Sequence, residues 1–280
     1  MRAALRAVGL VALAAGAIIV FFFLIQNRLI FHPSPAIEAT PDFFGMQYED
    51  VRLRTSDGET IAGWHIPAEA PLATLLFLHG NAGNISHRLH SLAALRRAGF
   101  TLLIIDYRGY GQSSGSPSEE GIHLDAAAAW EHLTQDRGLR PAGIVLYGES
   151  IGSVPAFELA RRLERKGEEP PAAVVVDGAL TSALEVGRRT FPFLPVRWIL
   201  RSRLDNLAAV REVSVPTLFI HAREDEIIPL DMGRRLYEAS AAPLKEFHEV
   251  PMAYHNTLWA TTASELPGVI RRFVQRAMKP

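Results

Sequence analysis

Cysteine is missing from the whole chain. That absence excludes a disulfide framework, thiolate metal ligation and a cysteine nucleophile together. An excess of charge of either sign is missing too, with 29 Lys and Arg against 30 Asp and Glu and a formal net charge of −1. Without a global basic field there is no electrostatic case for nucleic acid as a partner. The sequence has no internal repeat, which excludes solenoid and propeller arrays. What remains is a 280-residue chain long enough for one large domain with a sizeable core.

Charge is also missing locally. Ala7 to Ile25 contains no charged or strongly polar side chain, and a run of that length approaches the ~20 residues that cross a bilayer core. Arg2 and Arg6 precede it, and Arg28 follows. No small-residue cleavage signal follows its end, Phe21-Phe22-Phe23-Leu24-Ile25, so residues 1–30 read as an uncleaved transmembrane signal anchor rather than a removed leader. The basic residues at its start predict a cytoplasmic N-terminus and a domain on the other side of the membrane. Residues 31–45, punctuated by Pro33, Pro35 and Pro41, are expected to form an extended linker.

From residue 46 to 280 the pattern predicts a single α/β domain. Tyr48–Thr55 alternates, Ser56-Asp57-Gly58-Glu59 turns, and Thr60–Ile66 returns as the second strand of an antiparallel hairpin. Short apolar runs then alternate with helical stretches. Strands are expected at 73–78, 100–105, 142–147, 172–176, 216–221 and 245–250, and helices at 86–98, 118–135, 154–165, 230–240 and 256–278. Such alternation makes a mostly parallel central sheet with helices on both faces. Thr181 to Arg211 breaks the rhythm with Phe191-Pro192-Phe193-Leu194-Pro195, Trp198, and Arg188, Arg189, Arg197, Arg201 and Arg203. Its length predicts a functional insertion, read as a helical cap whose Phe191 and Trp198 line an acyl site and whose arginines meet anionic headgroups.

The chemistry centres on Gly148-Glu149-Ser150-Ile151-Gly152, which joins an expected strand to an expected helix. In that setting G-x-S-x-G is a nucleophile elbow, a tight strained turn that lifts the serine hydroxyl clear of the sheet. A serine hydroxyl needs a base, and the base needs a carboxylate to hold it. Asp225 follows the strand ending at His221, and His255 follows the strand ending at Val250, in the order Ser, Asp, His. Glu224, Glu226 and Asp177 are the rival acids. The glycine-containing loop His79-Gly80-Asn81-Ala82-Gly83-Asn84 is expected to supply a second oxyanion donor, so the N–H groups of Asn81 and Ile151 are the expected pair. Other signals fall away. Gly109-Tyr110-Gly111 lacks the third glycine of a dinucleotide fingerprint, His248-Glu249 lacks a second histidine at Met252, and His87 and His90 read as solvated surface. Asp106 and Arg108 read as braces of their turn.

Taken together, Leu78–Gly83, Asp106–Ser113, Gly148–Gly152, the Asp225 loop and Tyr254-His255-Asn256 resemble the α/β-hydrolase superfamily. More narrowly, they resemble its small membrane-anchored serine hydrolases, which include protein depalmitoylases and lysophospholipase-like relatives. The resemblance runs from about Phe31 to the C-terminus. It implies Ser150, Asp225 and His255 as a catalytic triad, Asn81 and Ile151 as the oxyanion hole, and no metal or organic cofactor. Ser153 stands where relatives often carry glycine, Pro155 opens the following helix, and His221-Ala222 replaces a more usual His-Gly. The expected activity is hydrolysis of carboxylic esters or thioesters, with a peptidase or amidase and a non-catalytic tethered interaction protein as alternatives. The expected partners are an acyl substrate and the membrane, and the oligomeric state is left open.

Overall fold

A computed structural model describes residues 1–279. Eight strands form one sheet: β1 (Glu49–Arg54), β2 (Thr60–Ile66), β3 (Ala73–Leu78), β4 (Phe100–Ile105), β5 (Ile144–Glu149), β6 (Ala173–Asp177), β7 (Thr217–Ala222) and β8 (Lys245–Val250). Their spatial order is β8-β7-β6-β5-β3-β4-β2-β1. Pairing is parallel from β8 to β4 and antiparallel at the β4–β2 and β2–β1 edges. The expected hairpin and parallel sheet are both present.

Period-two alternation explains why both faces are covered. In β3, Leu76 and Leu78 enter one core with Leu146, Val176 and Phe219. Leu75 and Phe77 enter the other with Val145, Val175 and Ile220. Helices α3 (Glu119–Glu131), α4 (Ser153–Lys166) and α8 (Leu230–Ala239) close the first face through Ile122, Phe157 and Leu236. Helices α2 (Leu89–Arg97) and α10 (Leu266–Ala277) close the second through Leu92 and Phe273. Each such side chain contributes roughly 1.5–3 kcal/mol by leaving water.

Two elements differ from the sequence reading. The closing helix is broken into α9 (Leu258–Thr262) and α10, because Pro267 sits in the first turn of α10, where a missing N–H starts a helix and does not continue one. Residues 31–45 are laid on the domain. Phe31 is buried, His32–Pro33 pairs in parallel with Ala82–Gly83, and Pro41–Phe44 forms a 3-10 turn.

Before this stretch runs α1 (Arg2–Ile30), a helix of 29 residues. Among the residues whose side chains are described, no helix is long and apolar enough to cross a membrane. The expected anchor falls partly on Ala3, Val11, Ala12, Ala14 and Ala15, whose side chains lie outside that description. The insertion between β6 and β7 holds three short helices, α5 (Ala183–Thr190), α6 (Val196–Ile199) and α7 (Asn206–Val210).

Candidate active site

Ser150 directly follows β5 and leads into α4 through a single 3-10 turn, Ser150–Gly152. Its φ is +51°, a left-handed conformation that costs a non-glycine residue free energy and persists only where the surroundings impose it. The flanking glycines show what imposes it. A Cβ at Gly148 would lie 2.6 Å from the Ser153 Cα, and one at Gly152 would overlap the Leu78 carbonyl. The turn is pressed against β3 and against its own helix, and only glycine fits.

Asp225, on the loop after β7, and His255, on the loop after β8, converge on that turn. His255 Nε2 lies 3.0 Å from Ser150 Oγ, and His255 Nδ1 lies 2.7 Å from Asp225 Oδ2. The other Asp225 oxygen accepts the N–H groups of Ile227 and Ile228 at 3.0 and 2.7 Å. His221 Nε2 donates to the Ile228 carbonyl at 2.7 Å, which fixes the same loop from below. The carboxylate therefore holds Nδ1–H and leaves the Nε2 lone pair facing the serine hydroxyl. Burial lowers the His255 pKa, but the hydrogen bond and charge of Asp225, with the charges of Asp177 and Glu149, outweigh it, and the net shift is upward from 6.5.

Two of the rival acids, Glu226 and Asp177, have other partners. Glu226 accepts the His255 backbone N–H at 3.2 Å. Asp177 Oδ2 accepts both the Tyr147 hydroxyl and the Trp259 indole N–H at 3.0 Å. Burial first, and then the Glu149 charge, push the Asp177 carboxyl up to about 7.

Asn81 and Ile151 line the same cavity as Ser150. The Asn81 carbonyl accepts from the Tyr110 hydroxyl at 2.7 Å and from the His32 N–H at 2.9 Å. Its side chain donates to the Ile30 carbonyl at 3.1 Å. Its own N–H donates to no acceptor among the described residues.

Several positioning residues carry no sequence signal. Arg88 grips Glu149, the residue before the serine, through two bonds of 2.8 and 3.1 Å, and donates to the Ala82 carbonyl at 2.7 Å. One guanidinium thus ties the elbow to the Asn81 loop. Ser153, the departure from glycine, donates to the Ser150 carbonyl at 2.6 Å and accepts from Asn206 at 2.7 Å. No local pattern announces contacts made across 53 or 61 residues of chain. Arg108 pairs with Asp57 and Asp125 at 2.7 and 2.9 Å, and Asp106 accepts the Ile85 N–H, so both brace the turn as expected. His87 and His90 are exposed yet engaged: His87 closes a capping box with Asn84, and His90 meets the Phe44 ring edge-on.

Over Ser150 lies a cavity of about 510 Å3 with mostly apolar walls. Phe191, Leu194 and Val196 of the insertion line it, but Trp198 does not; it is 77% exposed. The sequence placed both aromatics inside. The turn of α6 buries Val196 and Ile199 and leaves Trp198, between them, outward.

A family model described as "Alpha/beta hydrolase family" matches residues 75–274. An uncharacterized protein of Mycobacterium tuberculosis is 36% identical over 273 residues, covering 97% of this chain and 95% of that one. An uncharacterized membrane protein of Saccharomyces cerevisiae is 34% identical over 257 residues, covering 89% and 88%. Among solved structures, an esterase of Pyrococcus furiosus superimposes with a TM-score of 0.74 at 20% identity, covering 89% of this chain and all of that chain, and shows the same fold.

Proposed function

We infer that this chain, which belongs to the alpha/beta hydrolase family, cleaves carboxylic ester or thioester bonds of acyl substrates through an acyl-enzyme on Ser150. The observation that carries the reading is the hydrogen-bonded row Asp225–His255–Ser150 opening into an apolar cavity. Ser150 Oγ attacks the acyl carbon while His255 Nε2 takes its proton. The same imidazolium then protonates the departing alcohol or thiol, and water repeats the cycle to release the acid. Asp225 holds the tautomer. The N–H groups of Asn81 and Ile151 receive the negative oxygen, each worth about 10²–10³ in kcat.

Turnover of short p-nitrophenyl esters and acyl thioesters with a burst of one equivalent is the expected result, with no turnover of the matching anilides. Amide turnover at comparable rate would favour a peptidase or amidase instead. Absence of both burst and turnover from folded protein would leave an interaction module.

The pH profile follows from the His255 shift. Only neutral imidazole accepts the serine proton, so kcat/KM falls as pH drops through the His255 pKa. That pKa is raised, so the acid limb is expected to have its midpoint above 6.5. A midpoint below 6.5 would mean that the Asp225 carboxylate does not hold the imidazole.

The reading includes an anchor. The uncharged run from Ala7 to Ile25 supports it, as does the likeness to a yeast membrane protein. With Arg2 and Arg6 on the cytoplasmic side, the catalytic domain lies on the non-cytoplasmic side.

A further inference from the structure

The cavity over Ser150 has a wall that neither the sheet nor the insertion supplies. Phe22, Gln26, Leu29 and Ile30 of α1 line it. Spaced at i, i+4, i+7 and i+8, they share one face of the helix. From Ile30 back to Phe22 that face runs ~12 Å. Its inner end is tied to the reaction centre, since the Ile30 carbonyl accepts from the Asn81 side chain at 3.1 Å. Its outer end meets the cap, with the Phe22 and Phe191 ring centroids 6.2 Å apart.

Between those ends, Gln26 is buried. Its Oε1 accepts the Arg201 N–H at 2.6 Å, and its Nε2 donates to the Phe23 carbonyl at 2.7 Å. A buried amide with both ends satisfied fixes geometry. Gln26 clamps α1 against the segment after α6, so this end of the helix is part of the domain.

Beyond Phe22 the helix leaves the domain, and the surface there is apolar. Phe21, Val20 and Ile18 are exposed there, and the cap presents Phe193 at 97% and Trp198 at 77% exposure. The Arg201 guanidinium lies 5.2 Å over the Phe23 ring. Aromatics with arginines at the foot of an uncharged run make a surface suited to the lipid interface.

We propose that residues 22–30 of α1 form one wall of the acyl site, and that the site takes a long acyl chain directly from the bilayer, along α1 and past Phe22 and Phe191. The proposal rests on the hydrolase reading and on the proposed anchor, and names its substrate class: esters or thioesters whose acyl chain is already dissolved in the membrane. The anchor is then a piece of the binding site as well as a tether.

The test uses the full chain in phosphatidylcholine vesicles and reads the ratio of kcat/KM for palmitoyl to acetyl p-nitrophenyl ester. Phe22→Trp, which narrows the wall at its outer end, is expected to lower that ratio at least tenfold. Leu24→Trp, at an exposed position on the same helix, is expected to leave it within twofold. Equal ratios for Phe22→Trp and wild type would overturn the proposal. Vesicles doped with a monoacyl glycerophospholipid or with an S-palmitoylated peptide separate the two sources of such a chain by which one is hydrolysed. Occupancy is read apart from chemistry by photolysing a diazirine-bearing palmitate with the Ser150→Ala protein. Cross-links are expected within residues 22–30, and cross-links confined elsewhere would overturn the wall. Because that arm needs no nucleophile, cross-links on α1 without ester turnover in the wild type would sink the hydrolase reading alone.

Discussion

Replacing Ser150 with alanine is expected to abolish labelling by a fluorophosphonate and to lower ester turnover by roughly six orders of magnitude, the scale seen when such a nucleophile is removed from its row. The phosphonate reports an activated hydroxyl, and Ser150 is the hydroxyl that faces the His255 lone pair, at 3.0 Å, inside the apolar cavity. Intact-mass analysis of wild type and Ser150→Ala in parallel decides the matter. One adduct on the wild type and none on the variant is the expected pair. An adduct that survives the substitution would place the nucleophile elsewhere, and none on folded wild type would show the hydroxyl to be inert.

Asp225→Asn is expected to lower kcat by about 10⁴ with little change in fold. The direction follows from the bonds around the carboxyl. One oxygen is committed to two backbone N–H groups, those of Ile227 and Ile228. An asparagine keeps its carbonyl there, because an NH2 group cannot accept, and so turns its NH2 toward His255 Nδ1. That nitrogen must then accept, the ring proton moves to Nε2, and Nε2 can no longer take the serine proton. The acid limb of the profile moves to lower pH with the loss of the carboxylate charge. Asp177→Asn, whose carboxyl is bound to Tyr147 and Trp259, is expected to cost far less. If the two substitutions cost the same, the assignment of Asp225 as the orienting acid fails.

Much of the site was legible because its signals are local. A serine between glycines at a strand–helix junction, an acid after one strand and a histidine after the next are each written within a few residues. The strand alternation that orders them is also local, and Lys245–Val250 matches the expected bounds residue for residue. The choice of Asp225 over Glu226 and Asp177 was only a matter of order in the chain. In the structure the oxygen that lies 2.7 Å from His255 Nδ1 belongs to Asp225.

The sequence by itself determined the elements, their alternation, the residues at the ends of β5, β7 and β8, and the uncharged run before the domain. Tertiary structure alone decided what those ends meet. It set the two-point grip of Arg88 on Glu149, the Ser153–Asn206 brace and the outward turn of Trp198. It also brought the last turns of α1 into the cavity wall, held by Gln26 across 175 residues of chain. The reason is physical. Periodicity and turn chemistry act over one or two turns of chain and leave their mark in neighbouring residues. Hydrogen bonds between distant segments depend on where the packed core places their partners, and composition records no trace of that.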